Sequence, residues 1–163
     1  MSAVDSGSPT GKADQYRGRI TVDLDAKEYS HNNFRTRAVR TWHNLQHDAD
    51  DVEVHVSSSG RGLHFVAWFE QAIPFHVEIG LRRMHGDDQR RVGMDCERWY
   101  NGLYTGVLFD EKSSRPMTKE RGFVDVYAAL DFIAAQRDDH DRMNRLANRG
   151  HKGAPSLATR SDL

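Results

Sequence analysis

The chain has one cysteine, Cys96, which rules out an intramolecular disulfide framework and any multi-cysteine zinc knuckle. It also lacks an apolar run long enough to cross a bilayer, and its first residues show no secretory signal pattern. The expectation is a cytoplasmic protein with no membrane association. Nor is there an excess of charge of one sign. Lys and Arg number 23 against 24 Asp and Glu, for a net charge of −1, so any basic binding surface has to be local. Charged residues still make up 29% of the 163 positions and mean hydropathy is −0.76, which implies a solvated surface around a small single core. No internal repeat or low-complexity block interrupts it.

Residues 1–15 and 150–163 are rich in small and polar residues and are expected to be a disordered leader and tail, leaving 16–149 as one domain. Within it, Ile20, Val22 and Leu24 alternate with polar residues, the period of a half-buried strand. Phe34, Ala38, Trp42 and Leu45 form a helical stripe, with Asn32 or Asn33 as a cap. "DVEVHV" is a second strand and "LHFVAWFE" a third, apolar on both faces. "IPFHVEIGLRRMHG" fits either period. Pro74 in its first turn and Gly86 at its end favour a helix. In "RRVGMDCER" the alternation of Val92, Met94 and Cys96 suggests a fourth strand, and "TGVLFDEK" a fifth. "SSRPMTKERG" suggests a loop, and a long helix from Val126 to Gly150 ends the domain. The expected fold is therefore α+β: an RRM-like or ferredoxin-like βαββαβ core with an added strand and a C-terminal helix. Its usual sheet order, 4-1-3-2, has helices on one face only.

Strand parity then gathers the chemistry. With Ile20, Val22 and Leu24 turned to the helices, Asp23 and Asp25 share the open face. The same argument puts Asp95 on that face from strand four and His64 from strand three. Clustered carboxylates require a cation among them, and oxygen ligands suit Mg²⁺ or Mn²⁺. Such ions can clamp the attacking and leaving oxygens of a phosphoryl transfer. The adjoining "SSSGRGLHF" offers hydroxyls, backbone N–H groups and the Arg61 guanidinium, the donors a triphosphate needs.

"VDLD", "SSSGRGLH" and "GMD", in this order, resemble the three motifs of the archaeo-eukaryotic primase and primase-polymerase superfamily. The resemblance spans roughly Arg19 to Tyr104. It implies metal ligation by Asp23, Asp25 and Asp95, with Ser59 and His64 on the nucleotide phosphates. It further implies nucleoside triphosphates and a DNA template as partners, with a helicase or second primase subunit as a candidate companion. The single cysteine leaves no room for the zinc-binding insertion many relatives carry. Arg98, three residues after Asp95, is a further candidate for the triphosphate. Arg82, Arg83 and Arg91 are either template-phosphate ligands or a solvated helix end.

Each feature alone has a plainer reading: solvent-facing strand carboxylates, a glycine hairpin turn, a partly buried histidine. Their agreement in order on one topology favours a metal-dependent nucleotidyltransferase that makes or extends primers during DNA replication. The main alternative is a non-catalytic RRM-like module that grips single-stranded nucleic acid on the open sheet face. A rolling-circle initiator endonuclease ranks last, because "HVS" at His55 lacks the second histidine of a metal pair.

Overall fold

The computed structural model describes residues 16–103 and 121–151. The chain is an α+β protein, and over the described residues a four-stranded antiparallel sheet is accompanied by four helices. The strands are β1 (Gly18–Asp25), β2 (Asp51–Val56), β3 (Gly62–Phe69) and β4 (Arg121–Phe123). The helices are α1 (His31–Asp48), α2 (Phe75–Met84), α3 (Gln89–Tyr100) and α4 (Val126–His151). A 3-10 turn, Ala26–Glu28, joins β1 to α1.

The alternation read in β1 to β3 is the one the sheet uses. Ile20, Val22, Leu24, Leu63, Phe65, Ala67, Val54 and Val56 are buried on one face, against Phe34, Ala38, Trp42 and Leu45 of α1. Val126, Ala129 and Leu130 of α4 complete that core. The cap of α1 is Ser30, one residue before the helix, so Asn32 and Asn33 lie inside its first turn. α2 is helical as favoured, with Pro74 as its N-cap.

Two expectations are corrected. "RRVGMDCER" forms α3, with Asp88 as N-cap accepting the Arg90 N–H at 2.9 Å. The stripe it buries is Arg91, Val92 and Asp95, two charges and one valine, so a hydrophobic period cannot reveal it. The fourth strand is instead Arg121–Phe123, at the end of the stretch expected to be a loop, and it pairs with β2. Among the described residues the sheet order is accordingly β1-β3-β2-β4, which leaves β1 at an edge of that sheet where 4-1-3-2 would have covered it. The expected leader over 1–15, the strand over 105–112 and the tail beyond 151 lie outside the described residues, as does most of the loop over 113–122.

With β1 at the edge, its outward N–H groups need partners. The connection between α2 and α3 supplies one, as Asp87 Oδ1 accepts the Asp23 N–H at 2.8 Å. The α2–α3 connection thus meets β1 at Asp23, on the edge that the fourth strand was expected to occupy.

Candidate functional site

Asp23 and His64 are cross-strand register partners on the sheet face turned away from α1. Their side chains meet at 3.1 Å, Nε2 to Oδ1, with 15% of the imidazole and 29% of the carboxylate exposed. His55 is the register partner of His64 on the other side, and its Nε2 lies 3.2 Å from Glu53 Oε2. An acid and two imidazoles therefore run across three strands. Trp68 stands farther along this face, with the Arg19 guanidinium 5.7 Å above its ring and Tyr16 at 6.1 Å. Asp25, at the end of β1, points its carboxylate into its own backbone, where Oδ1 accepts the Lys27 N–H at 3.0 Å.

The turn between β2 and β3 is closed by its first serine. Ser57 donates its N–H to the Gly62 carbonyl at 2.9 Å, and its Oγ accepts the Gly62 N–H at 3.0 Å. Gly60 takes φ +69°, a left-handed conformation that suits glycine. At Gly62 a Cβ would stand 2.9 Å from the Leu24 carbonyl, so only glycine lets the turn run this close to β1. The Ala26 N–H donates to the Arg61 carbonyl at 3.1 Å and ties the turn to the end of β1. This architecture divides the motif. His64 belongs to the sheet face with Asp23, whereas Ser59 and Arg61 line a cleft between the turn, the start of α1 and α4.

Asp95 is elsewhere. It is fully buried in α3, and its Oδ2 accepts from Arg82 Nη1 at 2.7 Å. Arg82 Nε donates to Asp87 Oδ2 at 2.7 Å, and Arg91 Nη1 to Asp87 Oδ1 at 3.1 Å. Arg91 also bonds the Thr21 hydroxyl on β1. Burial pushes the Asp87 carboxyl above its ordinary range, against the pull of Arg91 and Arg82. Burial likewise raises Glu78, which lies 3.6 Å from Arg82. This interior network pins α2 and α3 to β1, and Asp23 reaches it through its backbone N–H.

The predicted site residues therefore separate. Asp23 and His64 share the sheet face, Asp25 caps the turn at the end of β1, and Ser59 and Arg61 share the cleft. Arg82 and Arg91, expected on template phosphate, are 0% and 6% exposed and hold carboxylates, while Arg83 is exposed. Arg98 is half-buried in the last turn of α3. Among the described residues no group of three or more His, Cys, Asp or Glu side chains is assembled to hold a metal ion. Asp87 was missed by the sequence reading. Its signal was the Gly86-Asp87-Asp88 run, in which Asp88 starts a helix and places Arg91 four residues after Asp87.

No protein-family model, no curated protein and no solved structure matches this chain.

Proposed function

We propose that this protein is a nucleotidyltransferase of primase or primase-polymerase type, using nucleoside triphosphates on a DNA template. The observation that carries the reading is the Asp23–His64 contact. Two motif residues 41 positions apart are register partners with a carboxylate-to-imidazole distance of 3.1 Å. In this reading Asp23 orients the imidazole, and His64 contacts a phosphate oxygen of the incoming nucleotide. The fold supports a ferredoxin-like half, because β3 lies antiparallel between β1 and β2. A helicase or second primase subunit is the partner class this activity would need.

Mg²⁺ or Mn²⁺ belongs to that chemistry, with Asp23, Asp25 and Asp95 as the implied ligands. The three do not fit it as arranged here, since Asp95 is buried on Arg82 and Asp25 caps its own turn. No step is therefore derived through the ions. That same mismatch favours, as a second reading, a non-catalytic module that binds single-stranded nucleic acid. Trp68 and Arg19 on the sheet face would stack on bases and hold phosphate there.

Template-dependent extension with Mg²⁺ or Mn²⁺ separates the two. Nucleotide incorporation that disappears in the Asp23→Ala/Asp25→Ala protein supports the first reading, and incorporation surviving that double change rejects it. Metal-independent binding of single strands with a steep salt dependence, and no incorporation, selects the second.

A further inference from the structure

The cleft behind the turn holds about 520 Å³, within the range of small-molecule sites. Its rim carries Lys27, Arg35, Arg61 and Arg137, with His31 and His140 beside them. No Asp or Glu stands among its described lining residues, in a chain whose net charge is −1. Arg35 meets Asp131 at 3.8 Å, which offsets that charge and leaves Lys27, Arg61 and Arg137 as the cations of the rim. The walls are apolar, formed by Tyr29, Phe34, Leu130, Ile133 and Ala134. The Gln136 side chain of α4 reaches the turn at Gly60. The start of α1 adds to the field, since Ser30 makes no side-chain cap bond and the first turn has no acidic residue.

A ring of cations around an apolar, aromatic pocket fits a molecule with a planar ring at one end and several phosphate charges at the other. We infer that this cleft binds a nucleoside polyphosphate, at a site separate from the Asp23–His64 face. The guanidinium groups of Arg61 and Arg137 hold the phosphates from opposite walls, and the ring lies against Tyr29, Phe34 and Ile133. The inference does not rest on the polymerase-type reading, because neither Asp23 nor His64 lines the cleft.

Calorimetric titration of the full chain with ATP in EDTA tests it, with inorganic tripolyphosphate as a second ligand. ATP is expected to bind without divalent metal, and tripolyphosphate about tenfold more weakly because it has no ring. Arg61→Ala and Arg137→Ala are each expected to weaken ATP about tenfold, roughly the worth of one charge-assisted hydrogen bond. Arg90→Ala removes the same charge from exposed α3 and is expected to leave the affinity unchanged. Thermal melts of each variant check that it remains folded. Absence of ATP binding, equal weakening by Arg90→Ala, or tripolyphosphate binding as tightly as ATP would each overturn the inference. So would loss of binding in Asp23→Ala/Asp25→Ala with Arg137→Ala unaffected, which would put the nucleotide on the sheet face. Extension activity failing while the ATP titration holds would count against the polymerase-type reading alone.

Discussion

Asp95 and Asp25 are both aspartates of the expected metal set, yet their surroundings assign them opposite energetic roles. Asp95 is fully buried on Arg82, whereas Asp25 keeps solvent contact and caps a 3-10 turn. Removing one partner of a buried ion pair strands the other charge, a loss of about 3–5 kcal/mol. Urea unfolding should therefore find Asp95→Ala and Arg82→Met less stable by that order, and Asp25→Ala within about 1 kcal/mol of the parent, the usual scale for a cap. Equal stabilities for all three proteins would show that the network does not hold α3. Asp48 tests a second contact. A hydrogen bond from His47, joined by the attraction and hydrogen bond of His85, holds its carboxyl below the ordinary range despite some burial. A carboxyl lowered by folding contributes stability above its unfolded pKa of about 3.9 and loses it as pH falls through the lower folded value. The melting-temperature advantage of the parent over Asp48→Asn should be present at about pH 5 and shrink as pH falls below about 4. A gap that widens between about pH 5 and about pH 3 would contradict the assignment.

At the scale of elements, the sequence was legible wherever burial followed a single apolar period. β1, β2, α1 and the first turns of α4 meet that condition, and β3 was recognisable as a short apolar run. α3 does not, because its inward stripe pairs Val92 with Arg91 and Asp95, while its exposed face carries Met94 and Gly93. The alternation of Val92, Met94 and Cys96 imitated a strand, and the Asp88 cap was the stronger signal. β4 has only three residues, too few for any period to show. Because the false strand bore Asp95, the error carried into the site: the Asp23–His64 pairing was readable from parity, and the separation of Asp95 was not. The separation of Ser59 and Arg61 from His64 was equally hidden, since it depends on α4 packing 70 residues downstream. Gly93 offers a check on α3. Nothing lies within 4 Å of the place its Cβ would take. Gly93→Ala should therefore raise stability by up to about 1 kcal/mol, the helix-propensity difference. A loss of stability would argue against a helix here.

Across the whole molecule, one face of the sheet is spent on the core and the other presents Asp23, His64 and His55. The α2–α3 connection meets the β1 edge at Asp23, and the basic cleft opens on the helix side. From Ala135 to Arg149, α4 is exposed all round, so its first turns hold it to the body. Among the described residues no helix is long and apolar enough to cross a membrane. The two proposals lie on opposite sides of the sheet, and they predict separable behaviour: cleft variants should alter nucleotide affinity, and sheet-face variants should alter turnover. The proposed activity is tested by primer extension on a defined template with Mg²⁺ or Mn²⁺, comparing the parent with His64→Ala and Asp23→Asn proteins of matched melting temperature. Templated elongation by the parent is expected, with at least about a hundredfold loss in each variant, the scale of removing one positioned catalytic group. Elongation unchanged in either variant, or none by the folded parent, would contradict the proposal.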